Sequence, residues 1–129
     1  MRSKEITFRY LGIIDRHIED IVDGSALEMY RLSDIASLLF ISQQHLSETI
    51  RSETGYSPSH FYSLKIMTKA MAMIEDNKLS IAEIAFTLTY DPSNFTKAFK
   101  RVTGMTPAYY KKQMRSIIHS GNVKEISYE

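Results

Sequence analysis

With 129 residues and 14.9 kDa, the chain has room for one ordinary domain or for two small subdomains on a shared spine, and its 43% hydrophobic and 24% charged residues exclude a disordered polymer. The absence of cysteine excludes a disulfide scaffold, a thiolate zinc site and a cysteine nucleophile, and no apolar run approaches the ~18–20 residues that span a bilayer. The net charge of +1 conceals an asymmetry, −3 over residues 1–57, +5 over 58–117 and −1 over 118–129, so the second half offers a modest positive field to an anionic partner.

The opening residues lack the apolar stretch of a secretory signal, which points to an intracellular chain. Ile6, Tyr10, Ile13, Ile14, Ile18 and Ile21 recur at helical spacing and predict a helix over 5–22. Ser33 is placed to cap a short helix over 34–40. A turn at 41–42 leads into a second helix over 43–53, and Gly55 supplies a left-handed stop. Ser57-Pro58 starts a long helix over 58–76. Phe61, Tyr62, Leu64, Ile66, Met67, Ala70, Met71, Met73 and Ile74 make it apolar on most sides, the pattern of a buried spine. At 1.5 Å per residue it is roughly 28 Å long. Ser80 and Glu83 form a capping box, and Asp91-Pro92 opens a helix over 92–102 that Gly104 ends. A last helix covers 108–118, and 120–129 reads as a loose tail. No segment reads as a strand. The expected divisions are 1–57, 58–77 as linker helix, 78–119, and the tail.

A repeat organises the chain. Residues 32–61 align with 81–110 at an offset of 49 without an insertion. Ile35 falls on Ile84, Ala36 on Ala85, Leu39 on Leu88, Thr54 on Thr103, Gly55 on Gly104 and Pro58 on Pro107. Matched glycines and prolines fix backbone shape and not mere hydrophobicity. Each copy is a short helix, a tight turn and a longer helix, the helix-turn-helix pattern. Ala36 and Ala85 are small where the helices cross; Leu46 with Ile50, and Phe95 with Phe99, anchor one side of the second helix. The opposite side is polar in both copies: Gln43, Gln44, Ser47, Glu48 and Arg51 in the first, and Ser93, Asn94, Thr96, Lys97, Lys100 and Arg101 in or beside the second. Gln and Asn suit adenine edges, Lys and Arg suit guanine or phosphate, and Glu48 suits a cytosine amino group. Arg51 could equally pair with Glu48 or Glu53. His45 reads as a packing or turn residue. Major grooves on one face of B-DNA recur every ~34 Å, close to the length of the spine.

The run of Ile35-Ala36, Leu39, Ile41-Ser42, Leu46, Gly55, Ser57-Pro58, Ala70, Ser80-Ile81, Glu83, Ile84-Ala85, Phe95, Phe99-Lys100, Gly104, Thr106-Pro107 and Tyr110 resembles the DNA-binding domain of AraC-type (arabinose-regulator-type) transcription factors. The likeness spans about 32–111, and FTKAFKRVTGMTPAYYKK is its most specific part. The resemblance implies an all-α fold of seven helices, two helix-turn-helix subdomains joined by a linker helix. It also implies sequence-specific binding of one copy to double-stranded DNA across two major-groove segments, activation through RNA polymerase, and a place on the bacterial nucleoid in the cytoplasm. The sequence departs from the pattern where Phe40 and Thr89 replace a turn glycine; a positive φ there would be strained by about 1 kcal/mol. The second turn, 89–92, reads as one residue shorter than the family's. Ile66 and Lys111 stand where the family often has arginine.

The histidines form no metal-ligand pattern, and no cofactor, metal or membrane contact is expected. No phosphate loop, nucleophile elbow or paired carboxylates appear, so no enzyme is expected. The rival reading is a helical protein-interaction module without DNA binding, which would show no salt-dependent affinity for duplex.

Overall fold

The computed structural model describes residues 2–120, and every regular element among them is an α-helix. The seven are α1 (Ser3–Asp23), α2 (Leu32–Leu38), α3 (Gln43–Thr54), α4 (Pro58–Asp76), α5 (Ile81–Thr87), α6 (Pro92–Thr103) and α7 (Pro107–Ser120). Of the expected tail over 120–129, Ser120 closes α7 and 121–129 lie outside the described residues. Three starts follow the predicted caps: the Ser57 and Ser80 hydroxyls and the Asp91 carboxylate accept backbone N–H groups of the first turn. The Ser42 hydroxyl does the same at α3, inside what the sequence marks only as a turn. Ser33 does not cap. α2 begins earlier, at Leu32, because the Asp34 carboxylate accepts the Arg31 N–H at 2.7 Å and places negative charge at the positive helix end.

Two hydrophobic clusters divide the interior. In the first, Ile6, Tyr10 and Ile14 of α1 pack with Ile35, Ala36, Leu39, Leu46 and Ile50. In the second, Ile66, Met67, Ala70, Met73 and Ile74 of α4 pack with Ile84, Ala85, Leu88, Phe95, Phe99 and Tyr110. Tyr62 packs against both, and α1 joins them again by sending Ile18 into the second. Lys65 pairs with Asp15 at 2.7 Å and Lys69 with Glu19 at 2.9 Å, so α1 and α4 run parallel in one register. The Tyr10 hydroxyl donates to the Pro58 carbonyl at 2.7 Å, fixing the start of α4 to the first cluster. Burial pushes that phenol far above its ordinary value and keeps it a neutral donor.

α4 is less enclosed than its composition predicts. Leu64, Thr68 and Ala72 form a stripe open to solvent, since α1 and the second subdomain cover only the other sides. His17, also buried, stacks on Tyr30 at 3.7 Å between ring centroids. Its Nε2 lies 3.0 Å from the Glu28 carbonyl and 3.1 Å from the Tyr30 N–H, which also reaches the Tyr62 hydroxyl at 3.2 Å. An Nε2–H tautomer satisfies all these groups, with His17 donating to Glu28 and Tyr30 to Tyr62. That network holds the connection between α1 and α2. No helix among the described residues is long and apolar enough to cross a membrane.

Gly12 lies inside α1, where a Cβ would meet nothing within 4 Å. Gly12→Ala should therefore raise the unfolding free energy by about 0.5–1 kcal/mol in urea titrations, and unchanged or lower stability would contradict this placement. At α5 the Ser80 N–H donates to the Glu83 carboxylate at 2.9 Å and holds its pKa below the ordinary value. The folded-state pKa is depressed, so this contribution is complete above the unfolded pKa and is lost as pH falls through the folded one. Glu83→Gln should lessen the acid dependence of stability over that range; identical acid limbs in the two proteins would refute it.

Candidate nucleic-acid interface

The two helix-turn-helix turns share one geometry. Phe40 and Thr89, 49 residues apart, adopt left-handed φ of 59° and 66°. The next residue returns to the buried alanine in both: Ile41 N–H to the Ala36 carbonyl at 3.1 Å, and Tyr90 N–H to that of Ala85 at 2.8 Å. Ser42 and Asp91 then cap α3 and α6 at equivalent positions. The second turn has the same length and register as the first. Both turns thus hold a non-glycine residue in the left-handed region, the condition foreseen to cost energy there.

The anchors sit inward as predicted, with Leu46, Ile50, Phe95 and Phe99 each wholly buried. On the opposite faces Gln43, Gln44, Glu48, Arg51, Ser93, Asn94, Lys97, Lys100 and Arg101 are exposed, and Ser47 and Thr96 are half-buried. Gln44 Nε2 donates to Glu48 Oε1 at 3.0 Å, tying two of these side chains together. Asn94 donates its amide to the Asp91 carboxylate, and Thr96 donates its hydroxyl to the Pro92 carbonyl at 3.0 Å, so both serve the start of α6. Arg51 pairs with neither Glu48 nor Glu53, and among the described residues no ion pair occupies Lys97, Lys100 or Arg101. His45, expected as a packing or turn residue, does not pack: it lies in the first turn of α3 with an exposed side chain in register with Asn94, and exposed Ser52 matches Arg101.

The recognition helices border a continuous strip of surface. One depression joins Ser47 and Arg51 of α3 to Tyr30, Ser57, Ser59 and Tyr62. A second continues from Tyr30, Ser59 and Tyr62 through Ser63 to Thr89 and Tyr90. A third runs from Thr89 and Tyr90 to Asn94, Lys97 and Arg101 of α6. The strip thus brings together one edge of each helix, while Gln43, Gln44, Glu48, Ser93, Thr96 and Lys100 stand outside its lining. Its floor is rich in hydroxyls that the sequence reading did not select. Tyr30 comes from the α1–α2 connection, Ser57, Ser59, Tyr62 and Ser63 from the start of α4, and Thr89 and Tyr90 from the turn before α6. Burial pushes the Tyr62 phenol up to about 12 and raises that of Tyr90 against the opposing pull of Arg101, so both are neutral donors.

The comparisons with known proteins agree with this geometry. A family model described as a helix-turn-helix domain matches residues 35–113. The Msm operon regulatory protein of Streptococcus mutans is 33% identical over 94 residues, covering 72% of this chain and 33% of its own length. The C-terminal domain of AraT, a response regulator from Geobacillus stearothermophilus, superposes with a TM-score of 0.74 at 29% identity and 88% coverage of each chain. The DNA-binding domain of AdpA, a global transcriptional factor solved with a target DNA, shares the fold with a TM-score of 0.67 at 20% identity, covering 88% of this chain and 93% of that one. The chain belongs to the AraC-type helix-turn-helix family of DNA-binding transcription regulators. It spans about a third of the length of the Streptococcus relative.

The strained turn gives a direct check. Thr89 is β-branched and has a left-handed φ of 66°, so Thr89→Gly should stabilise the fold by roughly 0.5–1 kcal/mol, with strain relief outweighing the added chain entropy. Destabilisation of the variant in thermal or urea unfolding would show that the turn carries no such strain.

Proposed function

We propose that the chain is a sequence-specific DNA-binding transcription regulator that places α3 and α6 in successive major-groove segments on one face of a duplex. The observation that carries this reading is the unbroken strip between the Ser47–Arg51 edge of α3 and the Asn94–Lys97–Arg101 edge of α6. A duplex lying along it meets polar helix faces at both ends and neutral hydroxyl donors between them, suited to the sugar–phosphate backbone that separates two grooves.

The hydrogen bonds sort the roles. Arg51, Lys97, Lys100 and Arg101 are the cations for phosphate or guanine. Gln43 and Gln44 read adenine edges, and Glu48, oriented by Gln44, accepts from a cytosine amino group. Thr96 has committed its proton to Pro92 and offers its methyl to thymine. Asn94 has committed an amide proton to Asp91 and keeps its carbonyl oxygen for DNA. Ser47 and Ser93 contribute short hydroxyls. One copy binds each site in the bacterial cytoplasm, and RNA polymerase is the second partner this reading assigns. We assign the chain no catalytic activity, in keeping with its membership of a family of DNA-binding regulators.

Titration against random duplex at two salt concentrations tests the proposal. The affinity should fall steeply with salt, and Lys97→Ala should weaken binding to all sequences and reduce the salt slope by about 1. Gln44→Ala should instead relax preference at one or two base pairs, at a cost of about 1–3 kcal/mol on the preferred site. An absence of salt-dependent duplex affinity would favour a protein-interaction module and overturn the reading.

A further inference from the structure

An open groove of about 520 Å³ runs between α1 and the end of α2, away from the recognition helices. Three of its features have no role in the fold. Gly12 is a glycine in a helix interior with open space above it, so packing does not account for it. Leu38 on the facing wall is apolar yet half exposed. Arg9 and Arg16 each make one long contact, 3.3 Å, to a carboxylate a turn away on the same helix, and their side chains are 57% and 82% exposed. Their remaining guanidinium donors have no partner among the described residues.

These features have a common geometry. Gly12 lies one turn from Arg9 and one turn from Arg16; their carboxylate partners Glu5 and Asp20 lie on the sides away from Gly12, so the two guanidinium groups must turn inward to meet over the bare backbone. Ile13, Leu38 and Leu39 supply an apolar wall beside that point. We infer that this groove is a binding site for a small amphipathic monocarboxylate. Its carboxylate lies above Gly12 between the arginines, and its apolar body lies against the leucines. Asp20 stands on the same rim, bonded to Arg16, and repels a second negative charge, which selects a monoanion over a phosphate or a dicarboxylate. The groove volume falls within the range of small-molecule sites.

The test uses the full chain, labelled for amide NMR and titrated with 4-phenylbutyrate and, separately, with its neutral amide. The carboxylate should shift the amides of Gly12 and Leu38 saturably with Kd below about 1 mM, and the neutral amide should bind at least about tenfold more weakly. Gly12→Leu, which fills the floor, and Arg16→Gln, an exposed change, should each weaken the carboxylate by about tenfold or more while duplex affinity stays within about twofold. Arg16→Gln keeps the test valid if Gly12→Leu perturbs folding. No saturation at about 10 mM, equal binding of the neutral amide, or undiminished binding by Arg16→Gln would overturn the assignment.

Discussion

Everything in this fold depends on holding α4 at both ends. Its first turn is fixed to the first cluster by the bond from the buried Tyr10 hydroxyl to the Pro58 carbonyl and by Phe61 and Tyr62. Its second half is buried in the other cluster through Ile66, Met67, Ala70, Met73 and Ile74. Between these points α1 runs alongside in register, with Asp15 and Glu19 on Lys65 and Lys69. Exposed ion pairs contribute little energy, but two in succession oppose sliding of one helix along the other. A pair of recognition helices on a freely swinging tether would pay the entropy of ordering when the second engages; a fixed spine removes most of that cost.

Within each subdomain the backbone tolerates strain because burial outweighs it. Phe40 and Thr89 hold left-handed conformations at a cost of about 1 kcal/mol each. Each turn is overdetermined by the bond back to Ala36 or Ala85 and by two wholly buried anchors on the next helix. Burying one such Leu, Ile or Phe side chain contributes about 1.5–3 kcal/mol, enough to impose the turn on a residue that does not favour it. Phe40 is 94% exposed, so its ring gains nothing from the fold that would explain its place there.

Much of this was legible in the sequence because the repeat and the caps are local signals. Ser57-Pro58, Asp91-Pro92, Gly55 and Gly104 place helix ends through backbone chemistry that tertiary packing seldom overrides. The polar faces of α3 and α6 could be read from helical period alone. Less legible were features that depend on three-dimensional neighbours. Tyr30, Ser59 and Ser63 line the strip from a connection and from the spine, where no periodicity distinguishes them. The α1 strut needed the pairing of residues 50 apart in sequence, which no single helix pattern contains. The open stripe at Leu64, Thr68 and Ala72 was hidden because an apolar residue is not always a covered one. Ser33 lost the cap to a competing carboxylate one residue on, a choice that depends on where the helix begins.

The central claim is that both recognition helices engage one duplex at once on a rigid frame. Duplexes carrying two selected half-sites, with their centre-to-centre spacing varied from about 10 to about 15 base pairs, test it most directly. The frame predicts tight binding at the full-turn spacing and a loss of about tenfold or more when half a turn rotates one half-site to the far side of the helix. Affinity independent of spacing would mean that the two helices bind separately, and the account of a fixed spine would fail.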